Sequence, residues 1–488
     1  MNKPIRTISI FCLLLFVALM LNATYLQYYK AGALDGDPRN RRVIEAAYSQ
    51  ERGAILVGRD PVAESVPSND KYKFQRTYPK PFEYAHITGY FSYFSQTGIE
   101  QSMNEVLSGD DPSLFVTNLV DLLSNNAPKG GSVQLTVDPA AQSAAFEGLS
   151  ALPGDVQGSV VALEPDTGKI LAMVSLPSYD PNRLASHDLG AVSETFTRLD
   201  EDPDQPLLNR AIQTRLPPGS TFKVVTAAAA IESGNYDAGD LVPGGPTYQL
   251  PLTRGESGLI DNEGRDCGTG RIPFTQAMEN SCNTTFAALA VEVGADAMAE
   301  QAEAFGFNSH YLDDLGPQAE SVFPTRMDEA QVGQAGIGQY AVAATPLQMA
   351  LVAGGIANSG TVMKPYLVDE IQSPELDVLK KAEPVEFRRA VSASTASELT
   401  KLMVATVDDG TANPAAIPGV SVAGKTGTAQ SGRDNVPPYA WFISFAPADD
   451  PQVAVAVMIQ RADIPRGEIA GGQLGGPIAK SVMEAVLR

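Results

Sequence analysis

Histidine is almost absent: His86, His187 and His310 are the three in 488 residues, and cysteine is equally scarce, at Cys12, Cys267 and Cys282. These six residues fall at no metal-ligand spacing, so no metal site is indicated. With no Gly-x-Ser-x-Gly in the chain, a Ser-His-Asp hydrolase is disfavoured, and each histidine reads as structural or solvated. Positive charge is also short. The 35 Lys and Arg stand against 57 Asp and Glu, a net charge of −22. The cations are scattered, so no patch exists to hold phosphates, and a nucleic-acid partner is excluded. Internal repeats and low-complexity tracts are lacking too. What remains is ordinary apolar content in a chain long enough for a large domain and a smaller one.

One long apolar run is present, Ile8 to Leu26, free of charge and preceded by Lys3 and Arg6. As a helix it reaches about 30 Å, one bilayer core. Ala31-Gly32-Ala33 resembles a signal-peptide cleavage pattern, yet it lies well past the run, behind Gln27-Tyr28-Tyr29-Lys30. That arrangement favours a retained anchor with an interfacial tyrosine belt over a cleaved signal. Arg39, Arg41 and Arg42 counter Lys3 and Arg6, so charge does not set the orientation. Further on, the polar, glycine-rich stretch Ser124 to Gly131 reads as a break. The expected organisation is a cytoplasmic tail and anchor over 1–30, a non-catalytic domain over 31–130 and a catalytic domain over 131–488.

Within the last part, Gly158 to Leu163 and Lys169 to Val174 flank the turn Glu164-Pro165-Asp166-Thr167-Gly168 and read as a β-hairpin. Val420 to Ala429, Ala440 to Ala446 and Gln452 to Gln460 read as three more strands. Alanine-rich helical stretches lie between the two sets. The clearest begins at Thr345-Pro346, a cap residue followed by proline at the first helical position. Strands at both ends with helices between predict an α+β domain, one antiparallel sheet closed by distant segments.

Pro217-Pro218-Gly219-Ser220-Thr221-Phe222-Lys223 leads into Val224 to Ile231, a run that reads as a buried helix. Ser220 is then at the helix N-terminus, and Lys223 lies one turn on, on the same face. A neutral Lys223 amine takes the Ser220 proton and makes the hydroxyl a nucleophile, provided burial and another cation keep it uncharged. Alone the spacing means little, since Ser-x-x-Lys occurs about once by chance in such a chain. Ser68-Asn69-Asp70-Lys71 is a second match, but in a loop with no helix behind it. Ser281-Cys282-Asn283 places a hydroxyl and an amide for proton relay and for a substrate amide. Ser124-Asn125-Asn126 matches the same weak pattern. Lys425-Thr426-Gly427-Thr428 lays a cation and hydroxyls along a strand, with the glycine expected to let a ligand approach the backbone.

In that order, on helix, loop and strand, these three elements are the signature set of serine penicillin-recognising enzymes. Asn209-Arg210-Ala211, Gly336 to Pro346 with Gln348-Met349-Ala350, Ile356 to Gly360 and Trp441 to Pro447 extend the likeness. From about residue 155 to 488 the chain resembles the transpeptidase domain of class B, monofunctional penicillin-binding proteins. Glu51-Arg52-Gly53 and Leu107-Ser108-Gly109 resemble their non-catalytic pedestal. The modest pedestal and acidic composition are most similar to the short actinobacterial elongation or septation type.

The resemblance implies a peptidoglycan DD-transpeptidase that crosslinks stem peptides ending in D-Ala-D-Ala and is acylated by β-lactams. The fold it implies is an antiparallel sheet flanked by helices plus an all-α subdomain. Ser220 would be the nucleophile, Lys223 its base and Ser281 the relay to the leaving amine. Asn283 would hold the stem-peptide amide, while Lys425, Thr426 and Thr428 bind the terminal carboxylate on the strand through Gly427. Backbone N–H groups of Ser220 and Thr428 would form the oxyanion hole. No cofactor is implied. A membrane glycan polymerase of the SEDS type is the expected protein partner, and the catalytic domain is expected outside the cell membrane. A class A β-lactamase is disfavoured because no Glu-x-x-Leu-Asn follows Asn283, and no paired glutamates suggest a second, glycan-polymerising activity. A DD-carboxypeptidase on the same site and a non-enzymatic scaffold stay open. In an exported domain, Cys267 and Cys282 are expected to form a disulfide, the alternative being two buried thiols.

Overall fold

The structure, a computed structural model, describes residues 2–30, 45, 48–115, 123–124, 129–432 and 436–488. Its centre is a five-stranded antiparallel sheet in the spatial order Ala423–Ala429, Tyr439–Ala446, Val453–Arg461, Gln157–Leu163, Ile170–Leu176. The two ends of the domain thus meet as Val453–Arg461 beside Gln157–Leu163, the closure expected of strands separated by helices. Val160 and Ala162 pack with Val455 and Val457 on one face, and Val161 and Leu163 pack with Ala454, Ala456 and Met458 on the other. Helices Pro139–Ser150 and Gly471–Val486 cover the first face and Pro346–Ala357 the second. Burial on both sides explains why these strands read as continuous apolar runs rather than alternating ones. Each fully buried valine or methionine contributes roughly 1.5–3 kcal/mol by leaving water.

The helix Pro346–Ala357 begins as its sequence predicts. The Thr345 hydroxyl accepts from the Gln348 N–H at 3.1 Å, and Pro346 takes the first position, where its missing N–H costs nothing. Together with Phe274–Glu279, Asn283–Val293, Ala295–Ala304, Glu329–Ala335 and Ala393–Asp408 it builds the helical part of the domain.

A second sheet has six strands in the order Val378–Lys381, Val368–Gln372, Ser132–Leu135, Ile55–Val57, Asp60–Pro67, Phe74–Thr77. Ser132–Leu135 runs parallel to Ile55–Val57 and antiparallel to Val368–Gln372. The sheet therefore draws strands from both sides of residue 130, the expected boundary. Pairing satisfies the backbone groups that Ile55–Val57 would otherwise leave at an open edge. Residues 125–128 of the glycine-rich break lie outside the described residues. Inside this unit Arg52 and Arg76 both bind the buried Glu100 carboxylate, each at 2.6 Å, and Tyr78 donates to it at 3.1 Å. The guanidinium groups hold Glu100 below its ordinary value against the opposing effect of burial, which is the largest single influence.

At the N-terminus a helix runs Asn2–Thr24 and continues as a π-helical turn, Tyr25–Tyr29. Lys3–Tyr29 contains an 18-residue window of mean hydropathy 2.3, none of it buried, so the helix is long and apolar enough to cross a membrane. Ala31-Gly32-Ala33 and the arginines Arg39, Arg41 and Arg42 lie outside the described residues.

Candidate active site

Ser220 sits in a single 3₁₀ turn, Gly219–Phe222, that feeds the buried helix Lys223–Glu232. The sequence reading placed the serine at the start of the α-helix itself, and the tighter turn comes from Gly219. Its φ of +54° is left-handed, and its N–H donates to Gly338 O at 3.0 Å. A Cβ at Gly338 would lie 2.1 Å from Gly219 O, and one at Gly219 would lie 2.9 Å from Thr428 O. The turn is thus clamped between the segment after Gly336 and the strand Ala423–Ala429.

Gly427 belongs to the same clamp. The space its Cβ would fill is occupied by Pro218 O and the Thr221 methyl, both 2.9 Å away. The glycine thus lets the strand lie against the turn that holds Ser220.

Lys223 and Lys425 are wholly buried and converge on Ser281. Lys223 Nζ donates to Ser281 O at 2.7 Å, to Ser281 Oγ at 3.2 Å and to Asn283 Oδ1 at 2.6 Å. Lys425 Nζ donates to the same Ser281 hydroxyl at 2.8 Å and to Thr426 O at 3.0 Å. Among the described residues no hydrogen bond joins Lys223 Nζ to the Ser220 hydroxyl, as is common before substrate tightens a site. Burial, then the charge of Lys425, then that of Arg265 push Lys223 well below the ordinary lysine range. Burial, followed by Arg265, pushes Lys425 down as well. A base kept neutral by a dry site and a nearby cation is what proton abstraction from a serine needs.

Ser281 lies between the helices Phe274–Glu279 and Asn283–Val293 with φ +52°, a left-handed conformation that costs about 1 kcal/mol for a residue with a Cβ. What holds it there is the bond from Lys223 to its carbonyl and a disulfide between Cys267 and Cys282, whose Cα atoms are 5.9 Å apart. The expected pairing is therefore present. It closes a loop across a sequence separation of 15, for which chain entropy predicts roughly 3 kcal/mol of stabilisation. A reducing agent is expected to lower both the melting temperature and the acylation rate of the wild type. The Cys267→Ser, Cys282→Ser double mutant should not respond; equal responses in the two proteins would show that the bond does not organise the site.

Thr426 Oγ1 hydrogen-bonds Thr411 Oγ1 at 2.8 Å, and Thr428 follows on the strand, which forms an edge of the central sheet. Thr411, Gly338 and Arg265 were not singled out from sequence. Gly338 stood within a quoted segment without a role, and the other two lie in no motif. The Ser68 decoy stands in a turn with no helix behind it. Ser68 and Lys71 lie in the turn between Asp60–Pro67 and Phe74–Thr77, where the exposed Lys71 amine sits over the Tyr72 ring. Asn125 and Asn126 fall outside the described residues. His86 is buried, with Nε2 2.9 Å from Pro206 O, and burial pushes it down to about 4. His187 faces Asp70 and His310 faces Glu320.

Residues 158–484 match the penicillin binding protein transpeptidase domain, and residues 52–133 match the penicillin binding protein A dimerisation domain. The chain belongs to the penicillin-binding transpeptidases. Among curated relatives, the peptidoglycan D,D-transpeptidase PbpA of Mycolicibacterium smegmatis is 43% identical over 493 residues, covering 100% of this chain and 99% of that protein. PbpA of Mycobacterium tuberculosis is 42% identical, with the same coverage. The structure of penicillin-binding protein A from M. tuberculosis as a ceftriaxone acyl-enzyme superposes on this penicillin-binding transpeptidase with a TM-score of 0.85. It is 40% identical and the match covers 91% of this chain and 100% of that one.

Proposed function

We propose that this chain is a peptidoglycan D,D-transpeptidase that crosslinks stem peptides through an acyl-enzyme on Ser220 and is acylated there by β-lactams. The observation that carries this reading is the Ser281 hydroxyl, bonded at once by Lys223 and Lys425 beside the clamped turn that presents Ser220. The names of the relatives and the β-lactam acyl-enzymes of the structural neighbours support it.

In the neutral state the Lys223 amine keeps two N–H bonds, enough for Ser281 O and Asn283 Oδ1, and a lone pair for a hydroxyl proton. Ser220 Oγ attacks the carbonyl carbon of the penultimate D-Ala and its proton passes to Lys223. The N–H groups of Ser220 and Thr428 stabilise the resulting oxyanion. As the C–N bond breaks, the proton travels through Ser281 to the departing D-Ala amine. An acceptor amine then attacks the ester, forming the crosslink and returning the proton to Ser220 Oγ. Asn283 orients the peptide amide, Lys425, Thr426 and Thr428 hold the terminal carboxylate, and the donor lies along the edge strand Ala423–Ala429.

Because this substrate is outside the cell membrane, the apolar N-terminal helix is read as a single-pass anchor with the rest of the chain outside. Residues 31–130 serve as a pedestal for the catalytic part over 131–488, and a SEDS-type glycan polymerase is the partner that would supply nascent strands. Incubation with a defined pentapeptide donor and an amine acceptor is expected to yield the crosslinked amide as the main product. Release of D-Ala with hydrolysed tetrapeptide alone would make the enzyme a DD-carboxypeptidase.

A further inference from the structure

The mechanism gives Lys223 and Lys425 their tasks and leaves a third cation unused. Arg265 lies in the segment between the strands Leu259–Asp261 and Arg271–Pro273, and this segment is fastened to both sides of Ser281. Asn283 Nδ2 donates to Asp261 O at 3.0 Å, and the Thr284 N–H donates to Asn262 Oδ1 at 3.0 Å. On the other side Asn280 Nδ2 donates to Asp266 O at 2.8 Å, and Cys267 is bonded to Cys282. Within this frame Arg265 Nε donates to Asn262 O at 2.8 Å and Nη2 to Glu263 Oε2 at 3.1 Å. Among the described residues Nη1 has no hydrogen-bond partner, and the side chain keeps 26% of its surface open.

A guanidinium fixed through Nε and half of Nη2, with Nη1 free, is a planar fork poised for a carboxylate. Its charge acts on both active-site lysines, with the Glu263 carboxylate opposing it at Lys223. An anion beyond the terminal carboxylate would offset that repulsion. The loop touches Asn283, the residue read as holding the amide on the acyl side of the scissile bond, so the anion belongs on that side.

We propose that Arg265 is a specificity-determining residue that binds a second carboxylate, carried on the acyl side of the donor peptide or of a β-lactam. This rests on the reading of Ser220 and Asn283 given above. Carbenicillin and benzylpenicillin test it, because they differ by one carboxylate on the acylamino side chain. Acylation rates of the full chain would be measured with both, at equal ionic strength, for wild type, Arg265→Gln, Arg265→Lys and Glu263→Gln.

The ratio of carbenicillin to benzylpenicillin rates is expected to fall about tenfold in Arg265→Gln, the effect of losing one charge-assisted hydrogen bond. Arg265→Lys should fall between, retaining charge without the fork, and Glu263→Gln should raise the ratio by freeing Nη2. Each ratio is taken on one protein preparation, so partial misfolding cancels. A residue acting only through its field on Lys223 would change both rates together. An unchanged ratio in Arg265→Gln would therefore overturn the proposal. Absence of acylation of the wild type by either penicillin would instead overturn the underlying reading of Ser220.

Discussion

Ser220→Ala is expected to take up no fluorescent penicillin, with the second-order acylation rate down by about 10⁴-fold or more, the scale on which removal of a nucleophile acts. Ser281 Oγ is engaged by both Lys223 and Lys425, which leaves the Ser220 hydroxyl to form the ester. Ser68→Ala should label like the wild type, since that serine stands in a hairpin turn with its lysine in solvent. In the wild type the adduct is expected to persist for many turnover times, as the sequence has no Glu-x-x-Leu-Asn after Asn283 to supply a base for hydrolysis of the ester. The measurement is gel fluorescence against time, followed by peptide mapping of the adduct. Labelling of Ser220→Ala at the wild-type rate would remove the assignment. A wild-type adduct that hydrolyses as fast as it forms would move the protein toward the β-lactamases.

Much of this site was legible because its chemistry is tied to local spacing. Ser220 and Lys223 share a helical face whichever way the first turn is wound, so the 3₁₀ turn shifted the description without separating the pair. The central strands were legible because burial on both faces leaves a continuous apolar signature in Gln157–Leu163 and Val453–Arg461. The second sheet was not. Its pairing of Ser132–Leu135 with Ile55–Val57 and with Val368–Gln372 joins residues 78 and at least 233 positions apart, and no local pattern records it. The packing of Gly427 was not legible either, since what crowds it is the turn that holds Ser220, brought there by the tertiary fold. Arg265 escaped because a single arginine in a polar loop has no spacing to betray it. The disulfide, the side-chain amides of Asn280 and Asn283 and the Thr284 N–H bring its loop to the site. The cysteine pair could have served as the pointer, since a bond at Cys282 carries whatever precedes Cys267 into the site.

Lys425→Met is expected to slow acylation at neutral pH by about 10- to 100-fold, the range for losing a hydrogen bond to a charged group, and to displace the pH profile. Methionine keeps most of the buried volume, so a cavity does not confuse the result. The sign follows from Lys223 acting as a base: its neutral fraction grows as pH rises through its folded pKa, and the acylation rate grows with it. Burial is the largest cause of the depressed value and Lys425 the second. Without that charge the Lys223 pKa moves up, so the rising limb of the rate profile moves to higher pH. Part of the lost rate should return on the alkaline side, while the part due to carboxylate binding should not. Stability carries its own signature. Between their depressed folded values and the ordinary lysine value of 10.5, both lysines bind fewer protons folded than unfolded, so the wild type gains stability as pH rises through that window. Lys425→Met removes one of the two contributions and should flatten that rise. The readouts are the acylation rate and the melting temperature across the same pH series. If the variant keeps the wild-type limb position and rate while melting normally, Lys425 neither tunes Lys223 nor holds the carboxylate.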